Sequence, residues 1–286
     1  MDLDRLRKIV DDIQDLPTLP TIAATVTRLV AAEDSTATDI AGMIGNDQSL
    51  TAKILKIANS AFYGLPKDVR TLRAAIVLLG FNSIKNIVLT ASVFEAFYGR
   101  GSTGQLDRAA LWTHSVACAA ASKVIATRQQ VADGEEVFFA GLMHDLGKVV
   151  LDHYAHDAFA QVIQLARQRK CLLLEAEREL LGVSHAEVGY WLADRWQLPI
   201  YLGQAMGFHH LPMDCPDFPD YACTVHVADM LVRTLKFGNG GDDYVPTLDQ
   251  QAWDRLRMVT DELQDLAREI KRELDKASAF LVLLEQ

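Results

Sequence analysis

The sequence predicts an all-α protein. Apolar residues recur at spacings of three and four in nearly every periodic segment, the helical period rather than the alternation of strands. Capping-type residues open these segments, and Gly or Pro closes them. Half of the 286 residues are apolar, which is enough to bury a sizeable core and excludes global disorder. The length suits two modest domains or one large one.

The elements follow in chain order. In "TIAATVTRLVAAED", Ile22, Val26, Leu29 and Val30 share a face, and Pro17 and Pro20 stand before it, where proline is tolerated. Thr36 followed by Asp39 has the pattern of a capping box opening "TDIAGMIGND". Leu50, Ile54, Ile57 and Ala61 form the next stripe, ended by Gly64 and Pro66. "TLRAAIVLLGF" and "SIKNIVLTASVFEAFY" continue the pattern up to "GRGSTGQ" at residues 99–105, a Gly/Ser-rich break that marks a domain boundary. Residues 1–100 are therefore expected to form an N-terminal helical bundle and residues 101–286 a second one with a long C-terminal helix. Helices are expected near residues 106–128, 135–151, 155–169, 185–197, 199–209 and 219–236, with the loop "FGNGGDDYVP" before the last helix. In that helix Leu256, Val259, Leu263, Leu266, Ile270 and Leu274 line a seam open to homodimerisation. At about three heptads, it favours packing along its own domain over a coiled coil.

Charge and cysteine usage narrow the function. With 28 basic and 38 acidic residues the formal charge is −10, which repels phosphate backbones and argues against nonspecific nucleic-acid binding. Cys118, Cys171, Cys215 and Cys223 are scattered without a CxxC pair, so neither a thiolate zinc knuckle nor a disulfide framework is expected. The opening "MDLDRLRKIVDDIQDLP" is too charged for a signal peptide, and no apolar run reaches membrane-spanning length. A cytoplasmic protein that does not enter the membrane is expected.

The stretch "GLMHDLGKVVL" sinks His144, Asp145 and Lys148 into an apolar run. On a continuous helix the first two would point about 100° apart, yet both could reach one cation at the helix edge. His114 falls on the apolar face of the helix at 106–128. Taken alone, such a ring is better explained as a satisfied core histidine. His185 follows Ser184, whose pairing with Glu187 has the capping-box pattern, and Gly189 one turn on would permit close backbone approach. His209 and His210 end a helix that Pro212 stops, and as a pair they could simply complement a helix dipole at the surface. Asp229 sits among Val225, Val227 and Met230 with His226 one turn away, so a buried Asp–His pair is the local alternative. Five histidines and two aspartates beside apolar faces would then each need an unrelated reason. One centre of divalent transition metal explains them jointly, because imidazole and carboxylate are the ligands of iron, manganese, zinc and nickel.

With those residues assembled, the chain resembles the HD superfamily of metal-dependent phosphohydrolases, and more closely its HDOD branch of bacterial signalling output domains. The resemblance rests on "LPTLPTIAATVTRLV", "DIAGMIGNDQSLTAKILKIANSAFYG" and "AAIVLLGFNSIKNIVLTAS", followed in order by "LWTHSVACAA", "AGLMHDLGKVVLDHY", "SHAEVGYWLADRWQLP" and "AMGFHH", over residues 15–235. It implies that His114, His144, Asp145 and Asp229 hold one metal, that His185, His209 and His210 hold a second, and that Asp145 bridges them. This is similar to the dinuclear centre of the HD-GYP phosphodiesterases. It further implies catalytic roles for Asp145 and for Lys148, the latter facing substrate phosphate. A lysine that snorkels out of the helix is the alternative at that position. After His210 the chain reads "LPMDCPDFPD", without the Gly-Tyr-Pro signature, and Ala110 stands where a further acidic ligand could sit, so the likeness to cyclic-dinucleotide hydrolases stops short there.

Two functions follow as expectations. One is a regulatory module that contacts other signalling proteins. The other is a phosphohydrolase acting on a nucleotide or small phosphate ester. Access separates them, since a substrate must reach the metals through an open cleft.

Overall fold

The structure, a computed structural model, describes residues 20–60, 62–94 and 105–285, with side chains as far as residue 277. The described residues are helical throughout, without strands. Over them the chain divides into two compact units, one of residues 20–94 with 272–285, the other of residues 105–271. The Gly/Ser-rich break lies outside the described residues except for Gln105, as do Pro17, Ala61 and the charged opening stretch.

The first unit contains α1 (Thr21–Ala31), α2 (Ala37–Ile44), α3 (Gln48–Ala58), α4 (Leu72–Leu79) and α5 (Phe81–Val93). Three of the starts are set by side chains that satisfy otherwise unpaired backbone amides. Thr36 and Asp39 form the expected reciprocal capping box, while Asp47 and Thr71 cap α3 and α4. Helix α3 ends at Ala58, earlier than Gly64 would have ended it. The Asn59 side chain bonds the Leu55 carbonyl and both the amide and the carbonyl of Val69, folding the following loop back. Gly80, at φ +85°, makes a 116° corner between α4 and α5 that a side chain would strain. The core is mainly apolar: Ala23, Val26, Ile40, Ile44, Ile54, Ile57, Ile76, Ile84 and Ile87 are fully buried, and α5 adds the buried polar residues Ser83, Lys85, Asn86, Thr90 and Ser92.

The second unit contains α6 (Arg108–Gln129), α7 (Gly134–Met143), α8 (Leu146–Tyr154), α9 (His156–Arg169), α10 (Leu173–Leu180), α11 (His185–Arg195), α12 (Ile200–Phe208), α13 (Pro219–Thr234) and α14 (Gln250–Arg255). Helix α15 (Leu263–Glu285) supplies residues to both units. Helix α6 packs on α7 and α13, α8 on α11, and α11 on α12. Small residues allow the closest of these approaches. A methyl group on Gly141 of α7 would stand 2.8 Å from the Cys118 carbonyl of α6. A buried Arg108–Asp152 ion pair joins α6 to α8, with Nε to Oδ2 at 2.8 Å.

The helix expected over 135–151 is two helices broken at His144–Asp145. Both sides of the break are buried, so the apolar pattern had no polar face to mark it. Helix α10 was not expected at all. The terminal seam is also interrupted. Arg257 adopts φ +53° after α14, and a 3-10 turn at Thr260–Glu262 intervenes before α15. Val259 is about half exposed, while Leu256, Leu266, Ile270 and Leu274 are buried within the chain itself. Among the described residues no single helix is long and apolar enough to cross a membrane.

Candidate metal centre

The second unit brings the expected residues together from five places. His114 lies midway along α6, His144 and Asp145 in the α7–α8 turn, His185 at the first position of α11, His209 and His210 after α12, and Asp229 in α13. Asp145 is central. Its Oδ2 stands 3.3 Å from His144 Nε2 and 3.6 Å from His114 Nε2, and its Oδ1 stands 3.3 Å from His185 Nε2 and 3.8 Å from His209 Nε2. His114 Nε2 is also 3.1 Å from Asp229 Oδ1, and His210 Nε2 is 3.0 Å from His185 Nε2. The side chains of His114, His144, Asp145, His185, His209 and Asp229 are between 0 and 3 % exposed, and His210 is partly exposed.

The imidazoles are oriented from behind. His144 Nδ1 donates to the Gly141 carbonyl at 2.7 Å, His209 Nδ1 to the Met206 carbonyl at 2.8 Å, and His185 Nδ1 to Glu177 Oε2 at 2.6 Å. With Nδ1 carrying the proton, each Nε2 presents a lone pair toward Asp145, which is how protein partners fix the tautomer of a metal-binding histidine. The Ser184–Glu187 capping box forms as expected and fixes the start of α11. The close backbone approach expected at Gly189 is made with Gly147, where a methyl group would stand 3.0 Å from the Gly189 amide nitrogen and collide with the His185 carbonyl oxygen. Gly147 thereby lets α11 come near enough for His185 to face Asp145.

Electrostatics fit a cation. Burial alone would push the Asp145 carboxyl upward, but His144 and Lys148 outweigh it and hold that group well below the ordinary carboxylate range. Burial is likewise overridden at Asp229, by Arg233 and by the bond to His114. Burial pushes the His209 and His210 rings well down, and lowers His114 against the opposing pull of Asp229, so these three favour the neutral form that can donate a lone pair. At His144 burial is outweighed by Asp145 and the ring is raised. His144 Nε2, Asp145 Oδ1 and His209 Nε2 are buried without a hydrogen-bond partner, an arrangement that costs free energy unless something compensates. Two donors each about 2.0–2.1 Å from a shared ion lie roughly 2.9–3.4 Å apart at ordinary coordination angles. The separations of 3.0, 3.1 and 3.3 Å fall in that range, while Asp145 stands farther from His114 and His209, at 3.6 and 3.8 Å.

Several local alternatives are overturned. Asp229 does not pair with His226, whose Nδ1 donates to the His209 carbonyl and whose Nε2 accepts from the Asp249 amide. Asp229 instead accepts from Arg233 Nε at 2.9 Å. His209 is buried, not a surface complement to a helix dipole. Lys148 does not snorkel. It is fully buried, and its ammonium donates to Asp145 Oδ2 and to the Gly240 carbonyl, each at 2.7 Å. A pocket of about 350 Å³ in this unit is lined by Ala110, Arg167, Asp242 and Tyr244 among others, and by none of the seven clustered residues.

Three contributors were missed in the sequence. Glu177 lies on the helix that was not expected. Arg233 stands four residues after Asp229, a spacing that could have revealed it. Cys118 stands four residues after His114, with Sγ 3.5 Å from His114 Nε2.

The family model described as HDOD domain matches residues 16–212. An uncharacterised protein of Treponema pallidum (strain Nichols) is 26% identical over a 232-residue alignment that covers 79% of this chain; the chain spans only 44% of that relative. Among solved structures, an HDOD domain protein of unknown function from Geobacter sulfurreducens is similar at TM-score 0.75 and 26% identity, over 96% of this chain and 99% of that one. A candidate phosphohydrolase from Shewanella amazonensis SB2B is similar in fold at TM-score 0.73 and 22% identity, over 96% and 98% of the two chains. A candidate signal transduction protein from Marinobacter aquaeolei VT8 has TM-score 0.73 and 20% identity, over 99% of this chain and 66% of that one.

Proposed function

Because this chain belongs to the HDOD domain family, we propose that it acts as a regulatory signal-transduction module whose second unit is built around a buried centre of one or two divalent transition-metal ions. The observation that carries this reading is burial. The cluster's ligand-type side chains, His210 apart, are all but closed to solvent, and a substrate phosphate has to meet the metal to be hydrolysed.

In this reading His114, His144, Asp145 and Asp229 hold one ion of iron, manganese, zinc or nickel. His185, His209 and His210 would hold a second, with Asp145 shared between the two groups as in the HD-GYP enzymes that the sequence resembles. The ion supplies positive charge that compensates the buried carboxylates and engages the unsatisfied imidazole nitrogens. The protein does the rest: Glu177 orients His185, Arg233 orients Asp229, and Lys148 balances Asp145 while tying α8 to the loop at Gly240. Output passes through contacts with other signalling proteins, in a cytoplasmic setting.

The same residues are also what a metal-dependent phosphohydrolase requires, with Asp145 and Lys148 at the reacting phosphate. Phosphate release from a panel of nucleotides and simple phosphate esters, measured with protein loaded with each of the four metals, separates the readings. The regulatory module gives stoichiometric metal and no turnover. Turnover that disappears in Asp145→Ala overturns it.

A further inference from the structure

Cys118 is the non-alanine residue in the run from Ala117 to Ala121, on the face of α6 that packs against α7. The run is buried, and alanine at position 118 would preserve its small-residue packing. One helical turn from His114, Cys118 directs its sulfur toward the same point as that imidazole. Its Sγ lies 3.5 Å from His114 Nε2. The ligand-type atoms of His114, Cys118, His144 and Asp229 all lie within 4.8 Å of one another, and all four residues are buried. His144 Nε2 belongs to this group and has no hydrogen-bond partner. Gly141 brings these atoms together: its lack of a side chain admits the Cys118 backbone, and its carbonyl turns His144 Nε2 inward.

We infer that the Cys118 sulfur is a further ligand of the ion assigned to His114, His144, Asp145 and Asp229, which makes this half of the centre a mixed imidazole, carboxylate and thiolate site. A sulfur about 2.3 Å and a nitrogen about 2.0–2.1 Å from one ion stand about 3.1–3.8 Å apart at coordination angles of about 90–120°, a range that contains the 3.5 Å observed. Forming the sulfur–metal bond releases the thiol proton to solvent. Thiolate is a soft ligand, so the site favours zinc or iron(II) over magnesium or manganese. The inference rests on the metal-centre reading and adds a ligand and a selectivity that the imidazole and carboxylate set does not supply.

The test uses the full chain loaded with cobalt(II) or zinc, beside Cys118→Ser and Cys118→Ala. Wild type should show a thiolate-to-cobalt charge-transfer band in the near ultraviolet and, by X-ray absorption on the zinc form, a sulfur scatterer at about 2.3 Å. Both signals should vanish in Cys118→Ser, and zinc affinity should fall by at least the roughly 10–100-fold typical of losing a metal's supporting partner. Stoichiometric cobalt or zinc without a sulfur signal overturns the role of Cys118 and leaves the metal centre standing. Absence of metal binding in folded wild type overturns both. Helical circular dichroism identifies a variant that has failed to fold. In that event the wild-type sulfur signal, present or absent, decides the matter.

Discussion

The two units are both helical, yet they bury different things. Residues 20–94 enclose fully buried Ile40, Ile54, Ile57, Ile76 and Ile84, and the sequence places no histidine there. Residues 105–271 enclose His114, His144, Asp145, Lys148, Glu177, His185, His209 and Asp229, each at most 2 % exposed. An apolar core degrades locally, because each lost methylene costs its own transfer and cavity term. A core of buried charges degrades collectively, because removing one member leaves others desolvated and unbalanced.

The largest break in this comparison is expected from Asp145→Ala. It strips Lys148 of its carboxylate and four imidazoles of their common neighbour, and should cost about 3–5 kcal/mol in denaturant titrations, the range for breaking a buried ion pair. Elemental analysis should show the bound metal lost as well. Unchanged stability and unchanged metal content would remove the basis for treating this core as a charged group. Gly147→Ala forces α8 away from the His185 carbonyl and should cost about 1–3 kcal/mol, as overpacking does. It should also selectively lower metal occupancy at the site proposed for His185, His209 and His210.

Glu177→Gln keeps the shape and removes the charge that holds His185 Nδ1. Metal affinity should drop by roughly 10–100-fold with little change in the fold, measured by competition with a chromophoric chelator. Acidification sharpens the contrast differently. His114, His209 and His210 are depressed below the ordinary 6.5, mainly by burial. The unfolded chain therefore takes up protons that the folded chain refuses. Their contribution is complete above pH 6.5 and is lost as the pH falls below it; His144, raised by Asp145, acts in the opposite sense. Chelator-treated protein should show a Tm that holds above about pH 6.5 and declines as the pH falls below it, and excess zinc should delay the decline. The smallest effect belongs to the apolar unit. Ile54→Val should cost about 1 kcal/mol and leave metal content untouched; a change in metal content would show that the two cores are not independent.

Helices α2, α3 and α4 of the first unit were legible because each has an apolar stripe and a capped start, as at Thr36. The Ser184 start of α11 was legible for the same reason. The break at His144–Asp145 was not, since residues on both sides are buried and periodicity loses contrast when every face is covered. The terminal helix was drawn too long because the left-handed Arg257 carries no sequence mark comparable to glycine.

By itself, the sequence determined the all-helical class and the identity of seven side chains too polar for their neighbours, because hydrophobic period and misplaced charge are local properties. Tertiary structure alone decided that those side chains meet around Asp145, that Lys148 is a buried counter-ion, and that Glu177, Arg233 and Cys118 stand beside them. The meeting depends on packing α6, α8, α11 and α13 within a few ångströms of one another, with Gly147 and Gly141 at the closest points. No spacing along one chain segment encodes the distance between two others.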